Sequence, residues 1–350
     1  MSYKRFDPED LVISADSITG TVWYNNNPTL STFITSSVQV ASSTGDYYFE
    51  IYQTNSLDST AAVQFDIAYG DETGSGSAFY NTLVTGSSPS RVIYGQYRNL
   101  VLGDENAAFI FGDQTGSYFY ALSIERSGYK EKLFPGTFNL ILSGSGAGNI
   151  QLTDNSVDTP SLVFNDAGRV YQIVSGANGT AFTGNSPGGD PMTNGYTPGS
   201  GSYGLFLPDI GTIILNGAAL SSSYNDGGIS MMTSRSNDNA FDVDCSNPRF
   251  LFTAISGGAS FALNSQETIT SDYIFTRARN SEFNYSENPS YISGSSGELL
   301  ISNFVESPQT YITAIGLYND ANELLAVAKL SRPLLKDFTK ELLVRVKLDF

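Results

Sequence analysis

Carboxylates are the first candidates for chemistry in this chain. Asp104-Glu105, Asp71-Glu72 and Glu9-Asp10 are adjacent pairs, and two carboxyls facing one another across about 5–9.5 Å would suit glycoside hydrolysis. Neighbours on a strand point to opposite faces, however, so adjacency does not create such a pair, and solvated acids at turns account for the pattern. Between 236 and 244, Asn237, Asp238, Asn239, Asp242 and Asp244 crowd oxygen ligands that could hold calcium. That segment lacks the glycine and the closing glutamate of an EF-hand loop, which favours a plain acidic loop. Little else remains, because the 350 residues include no histidine. Ser-His-Asp, Cys-His and His-metal chemistry are thereby removed together. The lone Cys245 cannot form an intrachain disulfide and reads as a small buried hydrophobe. Neither a P-loop, a GxSxG nor a dinucleotide fingerprint occurs at a strand-to-helix junction. The expectation is a chain that is not an enzyme, with no catalytic residue, cofactor or metal, whose work is to be a surface.

The elements that would build such a surface are mostly strands. At 61–70, Val63, Phe65, Ile67 and Tyr69 alternate with Gln64, Asp66 and Ala68, the period of a sheet with one buried face. The last nine residues repeat the pattern: Leu342, Val344, Val346, Leu348 and Phe350 alternate with Leu343, Arg345, Lys347 and Asp349, and the first set is expected to lie in a core. Turn chemistry predicts hairpins around 165–168 and 208–211, and a third over 310–330 with its tip at 319–322. Further strands are expected at 47–52, 118–125, 137–142, 249–255 and 273–279. One helix is predicted over 89–102, from Ser88 as N-cap and Pro89 in the first turn, with Ile93, Tyr94, Tyr97, Leu100 and Val101 at helical spacing before Gly103. The resulting fold class is mainly β: antiparallel β-sandwich domains with at most one or two short helices.

Composition sets the domain plan and the partners. Hydrophobic residues make up 40% and aromatic residues 13%, enough for a buried core. Charged residues make up only 15%, so much of the outer surface is neutral and hydroxyl-rich. The segment 175–204 has no Lys or Arg and is dense in Gly, Ser, Thr, Asn and Pro. It reads as a flexible insertion, or an arm ordered by a neighbouring subunit, between an N-terminal β-domain (1–174) and a C-terminal β-domain (205–350). Lys and Arg total 18 against 35 Asp and Glu, a net charge of −17, which argues against nucleic acid and against an anionic membrane surface as partners. The charge is uneven: residues 326–350 hold six basic and three acidic side chains. A basic tail on an acidic body suits contact between subunits, although a solvated strand face would look the same. No secretory leader or membrane span is read at the N-terminus or later, so assembly in a cytoplasm is expected.

Three stretches carry a resemblance. The segment 310–350, with TYITAIGLYNDANELLAVAKL leading into a proline and a charged terminal strand, is similar to a motif of structural proteins in contractile-tailed bacteriophages. RARNSEFNYSENPSY at 277–291 resembles segments of virion structural proteins of marine phages, as do YGQYRNLVLGDENAAFIFG and ERSGYKEKLFPGTFNLIL between 94 and 142. The resemblance implies a non-enzymatic, β-rich virion subunit, placed in a tail baseplate or at a tail junction and assembled in the host cytoplasm. Its partners would be other virion proteins and copies of itself. A capsid or neck component is the alternative, as is a carbohydrate-binding or depolymerising tail protein that would meet a host glycan. The candidate interface residues are Arg345 and Lys347 on the polar side of the terminal strand, with Arg277, Arg279 and Tyr285 in the resembling segment.

Overall fold

The computed structural model describes residues 4–35, 48–77, 88–144, 149–158, 163–182, 184–185, 191–192, 201–221, 247–294 and 296–349. Antiparallel strands dominate, as the alternating patterns predict. The chain forms two compact units, one of Met1–Ser17 with Thr268–Phe350 and one of Ile18–Glu267.

In the larger unit ten strands follow one sheet path. They are β2 (Thr29–Leu30), β3 (Tyr48–Tyr52), β4 (Val63–Asp71), β5 (Tyr118–Ile124), β6 (Asn139–Ser143), β7 (Asn149–Asp154), β8 (Gly168–Ala177), β9 (Gly204–Leu207), β10 (Thr212–Asn216) and β11 (Ser260–Ala262), in the order β2-β11-β6-β7-β8-β9-β10-β5-β4-β3. The path is held at both ends by one stretch of chain, because Ile34, just past β2, bridges Tyr52 of β3 through N···O contacts of 2.8 and 2.7 Å. The sheet therefore folds over on itself around one core, to which every strand of the path contributes, with Trp23, Phe65, Phe138 and Phe261 in edge or tilted ring contacts. Each such side chain stabilises by about 1.5–3 kcal/mol when fully buried.

Central strands of this sheet are apolar on both faces. On β5, Tyr120 and Leu122 point to the inner core, while Phe119 and Ala121 meet a second cluster built with Leu205, Ile214 and helix α1 (Pro89–Leu102). The helix has the predicted span and ends at Gly103, whose φ of 64° lets its N–H reach the Asn99 carbonyl at 3.2 Å. Ser88 sits at the N-cap position but its hydroxyl makes no cap and donates instead to the Gly74 carbonyl at 2.7 Å.

Three expectations need correction. The stretch 249–255 is not a strand: it belongs to helix α3 (Asn247–Gly258), which follows the short α2 (Gly217–Ser221) and precedes α4 (Asn303–Glu306) in the other unit. Leu251, Ala254 and Ile255 are its buried positions, a helical period hidden in an apolar run that reads equally well as a strand. With α1 the described residues hold four α-helices rather than one or two. The insertion at 175–204 does not separate the units either. It joins β8 to β9, which pair directly with Tyr171 opposite Phe206, and its ends are packed, with Ser175 and Tyr203 at 2% and 1% exposure. Residues 183, 186–190 and 193–200 within it lie outside the described residues, as do Cys245 and the candidate calcium segment 237–244.

The smaller unit carries β12 (Asn264–Ala278), which begins in the larger one, together with the hairpin β13 (Thr310–Tyr318) and β14 (Leu324–Lys336), and β15 (Leu342–Asp349). β12 lies between β1 (Leu11–Thr21) and β15, which it meets in eight uninterrupted antiparallel pairs from Ser271–Asp349 to Ala278–Leu342. The hairpin has the predicted tip, Tyr318 lying opposite Leu324, and forms a separate two-stranded sheet. Alternation in β15 is also as expected, but its apolar row is not a core: Val346 alone is buried, while Leu342, Val344 and Leu348 are half-covered. Phe350 lies outside the described residues.

Candidate functional site

The acid pairs resolve into local structure. Asp71 is buried rather than solvated, and its carboxylate accepts from the Thr73 N–H at 2.9 Å, the Thr73 hydroxyl at 2.7 Å and the Ser75 N–H at 3.1 Å. Asp104 accepts from the Asn106 N–H at 2.8 Å, and Asp10 from the Asp7 N–H at 3.2 Å. These are loop-shaping bonds of the Asx kind.

One carboxyl cluster was not visible as a pair in the sequence. Asp66 of β4 lies directly opposite Glu50 of β3, whose carboxylate accepts from the Tyr52 hydroxyl at 2.8 Å. One oxygen of Asp66 is buried and has no hydrogen-bond partner. Desolvation, reinforced by the charges of Glu50 and Glu125, pushes Asp66 up to about 6. Among the described residues no group of three Asp, Glu, His or Cys is arranged to hold a metal ion.

The candidate interface residues fall into two places in the smaller unit. Arg277, Arg345 and Lys347 share one face of β12 and β15, because Tyr273 lies opposite Lys347, Phe275 opposite Arg345, and Arg277 opposite Leu343 in the same alternating set. Tyr273 stands between the two cations of β15, its ring centroid 5.3 Å from the Arg345 guanidinium and 5.8 Å from the Lys347 ammonium. Lys347 also pairs with Asp349 at 2.9 Å, and Asp349 accepts from the Ser271 hydroxyl at 2.7 Å. The Asp349 contact is the main reason the ammonium is held above its ordinary value; Ser271 first and Lys347 second hold the Asp349 carboxyl below its own.

Arg279 and Tyr285 are not on that face. They belong to the segment after β12, where the Arg279 N–H donates to the Glu282 carboxylate at 2.9 Å and the Lys4 ammonium reaches the same carboxylate at 3.1 Å. Tyr285 makes an edge contact with Tyr291 at 5.8 Å, and Tyr291 stacks on Phe304 at 5.4 Å. Sequence reasoning missed Tyr273, although its place in a strand partnered with β15 would have pointed to it.

The hairpin and β1 complete the surface. Tyr311, Leu325 and Val327 are 61%, 69% and 60% exposed, and along β1 Leu11, Val12 and Ile13 are 45%, 48% and 65% exposed. Among its described residues this unit offers apolar and cationic strand surface. Among the described residues, no helix is long and apolar enough to cross a membrane. Compared with known proteins, the chain matches no family model, no curated protein and no solved structure.

Proposed function

We propose that the chain is a non-enzymatic structural subunit of a bacteriophage virion, acting through subunit-to-subunit assembly, with the tail baseplate or a tail junction as its place. One observation carries this reading: the smaller unit leaves its apolar residues uncovered. Among its described residues four hydrophobic side chains are buried, Ala278, Tyr291, Leu317 and Val346, against sixteen large ones exposed. The larger unit shows the reverse, with a continuous core. A lone two-stranded hairpin is marginal in water, and contiguous exposed apolar surface marks an interface. Of the residues on offer, Tyr and Arg are types that anchor interfaces. The resemblance of 277–291 and 310–350 to phage virion proteins falls on this same unit and names the kind of assembly.

The test is the particle. Mass spectrometry of purified virions from the encoding phage should find the chain at a fixed copy number, and antibodies against it should label one position on the tail. Its absence from the particle, or saccharide release by the purified chain that one Asp or Glu substitution abolishes, would overturn the reading.

A further inference from the structure

The smaller unit buries a lysine amine against a carboxamide. Lys336, the last residue of β14, is fully buried. Among the described residues its ammonium donates to Asn284 Oδ1 at 2.8 Å and to the carbonyls of Asp337 and Asn280 at 2.9 and 3.0 Å, all of them neutral oxygens. Asp337, Glu282 and Glu341 act on it only through their charges. A lysine is seldom buried without a carboxylate partner, because desolvation penalises the ammonium. Here burial outweighs the acidic charges and lowers the pKa, which raises the share of free amine, the nucleophilic form.

The carboxamide is held against that amine by its own segment. Asn284 is 6% exposed, and its Nδ2 donates to the Asn280 carbonyl at 2.6 Å, the same oxygen that Lys336 Nζ reaches. One oxygen thus holds both the amine and the amide nitrogen. Phe283, just before, has a φ of 55°, a costly conformation for a bulky residue. The Thr310 hydroxyl secures it by donating to the Phe283 carbonyl at 2.6 Å, and Thr310 lies opposite Lys336 in the hairpin register. With Nζ hydrogen-bonded to Oδ1, the amine is within about 4 Å of the Asn284 carbonyl carbon, one C=O bond further on. Fixed proximity of this kind replaces a bimolecular encounter.

We propose that Lys336 and Asn284 join in an intramolecular isopeptide bond once the chain has folded. The free amine attacks Cγ of Asn284, a C–N bond forms, and the tetrahedral adduct breaks its bond to the original amide nitrogen. Counted from the ammonium, two protons pass from the lysine nitrogen to the departing one, which leaves as ammonium. Nothing is oxidised or reduced, and no co-reactant is consumed. Closure turns a buried charge into a neutral amide and so removes the desolvation penalty, while escape of the ammonium makes it one-way. The bond would fasten the segment after β12 to the base of the hairpin, and it forms within one chain whatever that chain assembles into.

The experiment is intact-mass spectrometry of the purified full chain, incubated folded at mildly alkaline pH. The mass should fall by one ammonia below that of the sequence. Trypsin should then release a branched peptide joining 280–329 to 330–340, because an acylated Lys336 is no longer a cleavage site. Lys336→Met should keep its full mass, as should the wild-type chain held in concentrated urea, where nothing brings amine and carboxamide together. A folded wild-type chain that keeps its full mass would overturn the proposal, whether or not the variant folds. Loss of ammonia with linear peptides only, the mark of a succinimide at an asparagine, would overturn it too.

Discussion

Lys336 Nζ donates to Asn284 Oδ1 at 2.8 Å, with the lysine fully buried and the asparagine 6% exposed. Its other acceptors are the carbonyls of Asn280 at 3.0 Å and Asp337 at 2.9 Å, so a buried ammonium is held by three neutral oxygens. Desolvation lowers its pKa, with Asp337, Glu282 and Glu341 opposing from a distance. The contact ties the segment after β12 to the end of β14, in a unit with few buried apolar groups to do so.

Asn284→Ala should therefore destabilise the smaller unit. Hydrogen bonds to charged groups are worth about 1.5–3 kcal/mol, and the buried ammonium would be left short of an acceptor. Urea titration followed by tyrosine fluorescence should show the loss, while Asn284→Asp, which supplies an anionic acceptor, should not reproduce it. An unchanged midpoint in Asn284→Ala would mean that water replaces the amide and that the unit is held elsewhere.

Two turns of the larger unit are joined by Arg169 and Asp209. The Asp209 carboxylate accepts from the Arg169 Nη2 at 2.6 Å and from its backbone N–H at 2.8 Å. Partial burial pushes Asp209 up, but the Arg169 hydrogen bonds and charge outweigh it and hold the carboxyl below its ordinary value. Asp209→Ala should cost about 1–2 kcal/mol at neutral pH, the pair being partly exposed. A depressed carboxylate contributes stability that is complete above its ordinary pKa and is lost as pH falls through the folded value. The difference between wild type and variant should therefore shrink in strong acid. Gly168→Ala at the same turn should also destabilise, since φ is 97° and an added Cβ would lie 2.4 Å from Asp209 Oδ2.

Much of this fold was legible because its signals are local. The hairpins at 165–168, 208–211 and 319–322 follow from turn residues, and α1 from its proline start and glycine stop. Helix α3 was missed for a physical reason: FLFTAI is apolar enough to suit either period, and only its packing across β3, β4 and β6 selects the helix. The domain plan failed because composition cannot show that β8 and β9, on either side of a Gly/Ser-rich stretch, are partners in one sheet. For the candidate surface, alternation showed which residues of β15 point together but not that the apolar row is left half-covered. That depends on how many strands the chain supplies to cover it, which is a tertiary quantity.

Burial separates two leucines that composition treats alike. Leu251 on α3 is fully buried in the main core, whereas Leu325 on the hairpin is 69% exposed. Leu251→Ala should cost about 2–5 kcal/mol through lost burial and the cavity left behind. Leu325→Ala should change stability by about 0.5 kcal/mol or less. If assembly uses the hairpin, Leu325→Ala should instead lower incorporation into particles. Thermal unfolding and particle incorporation, measured on both variants, separate the two roles.

Asp66 gives the larger unit a pH dependence of unusual sign. Its carboxyl titrates at about 6 in the fold against an ordinary 3.8, because burial and the neighbouring Glu50 and Glu125 disfavour the charge. Between these two values the folded state binds more protons than the unfolded chain, so stability must fall as pH rises through the window. A shift of that size corresponds to about 3 kcal/mol for a fully shielded group, and solvent screening of this partly buried one leaves about 1–2 kcal/mol. Beside the carboxylates Glu50 and Glu125, the neighbouring tyrosines are Tyr97, whose hydroxyl meets Ser123 at 2.7 Å, and Tyr52 on Glu50, and both are raised, Tyr52 to about 12, so neither tyrosine titrates in the same range. Asp66→Asn keeps the shape and removes the charge. It should raise stability by about 1–2 kcal/mol at pH 7.5 and leave it nearly unchanged at pH 4, where the wild-type carboxyl is already protonated in the fold. Denaturant titrations of both proteins at the two pH values measure this difference, and an equal effect at both would show that Asp66 keeps an ordinary pKa.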